Sequence, residues 1–160
     1  MDLEKAYDRV VREELWQVLS VYGLDNQLIQ RVKSLHYNIK ACVRVGGDLT
    51  DWFDITKGVR QGCVMSQSLF NLYMDSCINK LAEDECGTRI GNTQVSCLMY
   101  ADDAVLLAPD DINLQSIVTR MSEVCLGKDL RMNADKCKVM VFEKSECKTT
   151  CEIKIDNMAL

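Results

Sequence analysis

The sequence predicts an α+β domain with helices packed on one face of an antiparallel sheet, and three observations lead there. Segments whose apolar residues recur at helical spacing alternate with short apolar runs along the chain. Those runs come in pairs joined by tight turns, as hairpins require. The 160 residues give room for one core, with no repeat or linker to divide it.

The elements follow in order. Val10, Leu15, Val18 and Leu19 predict a helix from Glu4 to Leu19, stopped near Gly23. Asp25 caps a second helix carrying Leu28, Ile29, Val32 and Leu35, which fades by Tyr37-Asn38. Ala41–Val45 and Trp52–Ile55 flank Gly46-Gly47-Asp48 and read as a hairpin. A third helix, capped by Ser66, runs from Gln67 to Leu81, with Leu69, Phe70, Tyr73, Met74, Cys77 and Ile78 on its apolar face. Val95–Tyr100 and Ala104–Ala108 form a second hairpin whose turn is Ala101-Asp102-Asp103. A helix from Asp111 to Cys125 precedes the strands Lys138–Phe142 and Cys151–Ile155.

Composition narrows the function. Hydrophobic residues at 48%, charged residues at 27% and a single proline belong to a globular chain. No run approaches the roughly 20 apolar residues of a membrane span, and Asp2 and Glu4 do not suit a secretory leader. The nine cysteines are scattered, and Cys147 and Cys151 make only a C-x3-C with His36 as the sole histidine. Free thiols in a reducing compartment are therefore expected rather than disulfides or a zinc site. A net charge of -5 argues against a self-sufficient nucleic-acid binder, since phosphate binding needs surplus lysine and arginine. An acidic centre still suits polynucleotide chemistry when its carboxylates hold divalent cations that offset phosphate charge.

Transfer of a phosphoryl group by two metals needs carboxylates converging on ions roughly 3.5–4 Å apart. Asp2 and the adjacent Asp102-Asp103 are the candidates. Neighbouring strand residues point to opposite faces, so the pair can serve one site only at a turn, which is where the flanking runs put it. Asp102-Asp103 also reads as an ordinary solvated loop, and Asp2 as a helix N-cap. Gly58 and Gly62 let backbone approach a ligand closely, or serve loop shape alone, while Gln61 can bond base or sugar edges. Arg60 reads equally as a phosphate contact or a solvated loop arginine.

Asp2-Leu3-Glu4-Lys5-Ala6-Tyr7-Asp8, Gly58-Val59-Arg60-Gln61-Gly62-Cys63-Val64 and Tyr100-Ala101-Asp102-Asp103 stand in the order of motifs A, B and C of reverse transcriptases, which they resemble. Phe70-Asn71-Leu72-Tyr73 and Trp52-Phe53-Asp54 resemble the non-LTR (LINE-type) retrotransposon branch, and Leu130–Lys136 resembles its motif D. The resemblance covers essentially the whole chain. It implies a polymerase palm over residues 1–160, with fingers before it and a thumb after it missing, that copies an RNA template onto a DNA primer from deoxynucleoside triphosphates. It implies two Mg²⁺ ions, or Mn²⁺ in their place, held by Asp2 and Asp102 with Asp103 in support. Tyr7 becomes a gate under the incoming sugar, with packing on the core as the plainer alternative. Gln61, Gly62 and Arg60 fall on the segment that positions nucleotide and template. Lys136 falls near the leaving pyrophosphate, where it could donate a proton, neutralise charge or stand by.

Four features depart from the family. Only Met1 precedes Asp2, so a terminus expected to fray carries a metal ligand. Gln67 stands for a proline, Asp129 for a glycine, and Cys137 for serine or threonine. Asp129 pays a conformational cost if its φ is positive. These departures suggest a drifting copy, weak or inactive alone. The competing readings are a non-catalytic relic or interaction module with the palm fold, and a metal-dependent nuclease using the same carboxylates.

Overall fold

The computed structural model describes residues 1–79, 81, 86–143, 150–156 and 158–160. Helices and small antiparallel strands alternate as the sequence predicts, although several boundaries move. The expected first helix is two: α1 (Ala6–Arg9) and α2 (Arg12–Val21). Val10 and Val11 between them are extended, as β-branched residues favour. The break is fixed from outside, because Gly58 N donates to Val10 O at 2.9 Å and Val59 N to Tyr7 O at 2.9 Å. Carbonyls that would continue the helix are spent on a loop some fifty residues away.

Asp25 caps α3 (Asn26–Leu35) as expected, accepting from Gln27 N at 2.8 Å. Ile29 and Val32 are buried, while Leu28 and Leu35 face outward. The first predicted hairpin forms in two steps: β1 (Lys40–Ala41) pairs with β4 (Phe53–Asp54), and beyond it β2 (Arg44–Val45) pairs with β3 (Asp48–Leu49) around Gly46-Gly47. Helix α4 (Val64–Ile78) begins three residues earlier than predicted, with Cys63 at its N-cap. Ser66 is thus not the cap; it lies inside the first turn, buried, and its backbone N–H reaches Cys63 O at 3.0 Å. Gln67 therefore sits within the helix rather than at its first position.

A hairpin absent from the sequence reading, β5 (Thr88–Ile90) with β6 (Thr93–Val95), turns at Gly91-Asn92. The expected carboxylate hairpin follows as β7 (Cys97–Tyr100) and β8 (Asp103–Leu106), with Tyr100 across from Asp103. Helix α5 (Asp111–Leu126) starts at Asp110, whose carboxylate accepts from Asn113 N at 2.8 Å. The predicted strand over Lys138–Phe142 does not form. Only Val139 packs on the core there, while Met140 and Phe142 are exposed, so no alternating buried face exists to pin a strand. From the last predicted strand, β9 (Lys154–Ile155) remains and pairs with β10 (Met158–Ala159). The eight described cysteines are free thiols; Cys147, of the C-x3-C pair, lies outside the described residues. No helix among the described residues is long and apolar enough to cross a membrane.

The core gathers Leu15 and Leu19 of α2, Phe70, Tyr73 and Met74 of α4, and Met121 and Cys125 of α5. Leu3 joins it at 3% exposure, and this decides the fate of the N-terminal segment. Met1 N donates to Ala104 O at 2.7 Å and Ala104 N to Met1 O at 3.0 Å, tying one edge of the segment to β8. On the other edge Glu4 N reaches Arg131 O at 2.8 Å and Asn133 N reaches Asp2 O at 2.9 Å, with Leu3 antiparallel to Met132. The expected fraying of the segment carrying Asp2 is corrected: it is bonded along both edges and anchored by a buried leucine.

Candidate active site

The site begins with backbone that only particular residues allow. Gly58 has φ +81°, and a Cβ there would stand 2.9 Å from Asp8 Cα and from Tyr7 O. Its missing side chain lets the loop after β4 lie directly on the segment joining Tyr7 to Val10. Tyr7, at the N-terminal side of that contact, stacks on Phe70 of α4 with centroids 4.6 Å apart and planes 20° apart. Phe70 is wholly buried, so the core itself supports the tyrosine ring. Tyr7 thus packs on the core and also lines the cleft described next.

Four residues named from the sequence meet in one cleft of about 490 Å³: Tyr7, Gln61, Gly62 and Asp102. Cys63, Val64 and Gln67 complete its lining. Gly62 has φ +79° with open space where a Cβ would stand, so its glycine is required by backbone conformation. Burial, and then the negative charge of Asp102, push the Tyr7 hydroxyl pKa up. The backbone N–H groups of Ser66 and Met65, at the open start of α4, pull the Cys63 thiol down. The cleft therefore has a neutral phenol on one wall and a carboxylate on another.

Asp2 does not line this cleft; its carboxylate stands 3.6 Å from Lys136 Nζ. The pairing of Met1 with Ala104 runs the Asp2 backbone alongside Asp103 at the mouth of the hairpin turn. Ala101 in that turn has φ 54°, a left-handed conformation that costs a residue with a Cβ. Asp103 is exposed on β8 and does not line the cleft, nor does Arg60, which is exposed and acts by its charge on Arg12 and Cys63. Among the described residues no three His, Cys, Asp or Glu side chains stand close enough together to hold a metal ion. The donor chemistry still suits Mg²⁺, because Asp2, Asp102 and Asp103 offer hard carboxylate oxygens from elements whose backbones are bonded to each other.

Asp129, where the family has glycine, does have a positive φ of 58°, and its carboxylate pairs with Lys57. That ammonium group holds the Asp129 carboxyl below its ordinary pKa. Cys137 is buried in the core. Sequence reasoning missed Cys63, Val64 and Gln67 as lining residues; they lie just after Gln61-Gly62, at the N-cap and in the first turns of α4, whose early start brings them to the rim of the cleft.

Residues 1–153 match the reverse transcriptase (RNA-dependent DNA polymerase) family. The chain belongs to that family. It is 29% identical over 153 residues to the retrovirus-related Pol polyprotein from the type-2 retrotransposable element R2DM of Drosophila melanogaster, covering 96% of this chain and 14% of that protein. It is 27% identical over 149 residues to the RNA-directed DNA polymerase from mobile element jockey of Drosophila funebris, covering 89% of this chain and 16% of that one. A Transposon TX1 uncharacterized 149 kDa protein of Xenopus laevis is 27% identical over 138 residues, 85% of this chain and 11% of its own length. The resemblance to non-LTR retrotransposon reverse transcriptases is thus borne out, and this reverse transcriptase chain spans only a small part of each relative.

Proposed function

We propose that residues 1–160 are the palm of an RNA-directed DNA polymerase of a non-LTR retrotransposon, with fingers and thumb supplied by sequence outside this chain. The observation that carries this reading is the single cleft joining Tyr7, Gln61, Gly62 and Asp102 from three distant segments. Its palm character is supported by Met1–Glu4 lying between β8 and residues 131–133 and bonded to both. The substrates are an RNA template, a DNA primer and deoxynucleoside triphosphates.

Asp2 and Asp102 would hold Mg²⁺, or Mn²⁺, with Asp103 in support. Bound there, the two ions would supply activation of the primer hydroxyl and neutralisation of the leaving pyrophosphate. Tyr7 presents its ring to the sugar, fixed from below by Phe70, and so selects against a 2′-hydroxyl by steric and polar mismatch. Gln61 and Gly62 hold nucleotide and template through an amide side chain and an open backbone. Lys136, which pairs with Asp2 at 3.6 Å, would carry positive charge, or a proton, toward the leaving group. Arg60, exposed at the same loop, meets phosphate.

Extension of a DNA primer on an RNA template with Mg²⁺ tests the reading. Extension by the chain that falls at least about 100-fold in Asp102→Asn is expected, because the carboxylate charge acts at the reacting centre. Equal extension by both proteins would sink the assignment. Tyr7→Ala should raise ribonucleotide incorporation relative to deoxynucleotide. A second reading, a palm-fold module without catalysis, is favoured by the absence of a three-ligand cluster among the described residues and by Lys136 occupying Asp2. Mn²⁺ titration separates them: binding lost in both Asp2→Asn and Asp102→Asn supports the enzyme, and no specific binding supports the module.

A further inference from the structure

We propose that Arg12 is a positioning residue for the cleft, holding the loop that bears Gln61 and Gly62 at its distance from Tyr7. Arg12 opens α2 and is only 9% exposed. Its guanidinium donates to four backbone carbonyls: Nε to Gly58 O at 2.8 Å, Nη1 to His36 O at 3.0 Å and Ile55 O at 2.9 Å, and Nη2 to Lys57 O at 3.1 Å. Three of these lie within four residues on the loop between β4 and the cleft, and the fourth ends α3. A planar fork of five N–H groups can satisfy divergent carbonyls at once; an ammonium, a single point with three donors, cannot.

The loop gripped this way is the one whose Gly58 lies against Tyr7 and Asp8. Gly58 N and Val59 N bond to Val10 O and Tyr7 O, so the loop is held to the Tyr7 segment by its amides and to Arg12 by its carbonyls. Gln61 and Gly62 follow three and four residues later and line the cleft opposite Tyr7. Carbonyl oxygens take the guanidinium's hydrogen bonds, and burial lowers its pKa from the ordinary value, against the charge of Glu13 and together with that of Arg60. This desolvated cation aims three of its four hydrogen bonds at one loop, and that loop leads to the site. The consequence for nucleotides rests on the polymerase reading; the grip on the loop does not.

Arg12→Lys keeps the charge and stem but loses the fork. In the full 160-residue chain, hydrogen exchange at amides 58–62 should quicken about tenfold while the α4 and α5 core amides hold their rates. In primer extension, KM for deoxynucleotide should rise about tenfold with kcat within about threefold, the pattern of disturbed binding rather than lost chemistry. Val32→Ala, in the core of α3 away from the loop, is the comparison for general destabilisation: it should lower the thermal midpoint without singling out 58–62 or moving KM. Exchange at 58–62 unchanged in Arg12→Lys, or quickened only in step with the whole chain as in Val32→Ala, overturns the proposal. So does an unchanged KM in an active chain. If the unsubstituted chain extends no primer, the polymerase reading fails by itself, and the exchange measurement alone then upholds or overturns the role of Arg12.

Discussion

Tyr7 rests on a fully buried phenylalanine and behind a glycine pressed to its own backbone, whereas Asp102, across the cleft, hangs from a two-residue turn beside Tyr100, which is 79% exposed. The first wall is an extension of the hydrophobic core. The second is a hairpin tip, fixed by its own ladder and by the Met1 pairing to Ala104. The difference fits what each wall would hold on the polymerase reading proposed above. A sugar is discriminated by shape, which needs side chains with no room to yield. Carboxylates that take cations need exposure and mutual charge, which a tip supplies and a core forbids.

Four substitutions or conditions sharpen this contrast. Phe70→Ala removes the bed of Tyr7 and should cost about 3–5 kcal/mol, the range for an aromatic lost from a core, read as a fall in the urea midpoint. A comparable loss of stability from truncating Tyr100 would break the comparison. Gly58→Ala combines a left-handed alanine, about 1–2 kcal/mol, with overpacking against Asp8, about 1–3 kcal/mol. It should lower the thermal midpoint by several degrees, and a midpoint equal to wild type would show that the loop simply moves away.

The core wall also carries an alkaline liability. Burial, and then the neighbouring Cys77 and Cys97, push the Cys125 thiol up to about 12. Since the unfolded thiol ionises near its ordinary value of about 8.5, folding stability is intact below that pH and falls as pH rises toward 12. The loss should be up to about 1.4 kcal/mol per pH unit from this group. Burial and Glu14 raise the Tyr73 hydroxyl in the same direction. Chemical denaturation at several pH values should show a shallower decline in Cys125→Ala; an identical slope would remove the thiol as its cause. The smallest effect belongs to the tip. Ala101→Gly relieves a positive φ and should change stability by no more than about 1 kcal/mol, with differential scanning calorimetry as the check.

The cost foreseen at Asp129 is met, since its φ is positive, and Lys57 supplies an exposed partner that offsets part of it. The carboxylate hairpin, the Asp25 cap and the apolar face of α4 were legible because each is written in neighbouring residues. The break at Val10-Val11, the early start of α4 and the unformed strand over Lys138–Phe142 were not. Helical periodicity across 4–19 gives no warning that Tyr7 and Val10 carbonyls are claimed by Gly58 and Val59. Nor does it show that a polar Arg12 among apolar positions is satisfied by four carbonyls.

By itself the sequence determined which residue types exist for the chemistry and the order in which they occur: a carboxylate before an aromatic, a glycine-flanked glutamine, and a paired aspartate in a turn. Tertiary structure alone decided that Tyr7, Gln61, Gly62 and Asp102 face one cleft, that Asp2 meets Lys136, and that the N-terminal segment is bound on both edges. The physical reason is range. Turns, caps and amphipathic faces are set by contacts within a few residues, whereas a cleft is closed by backbone bonds between residues fifty to a hundred apart, whose partners no local pattern names.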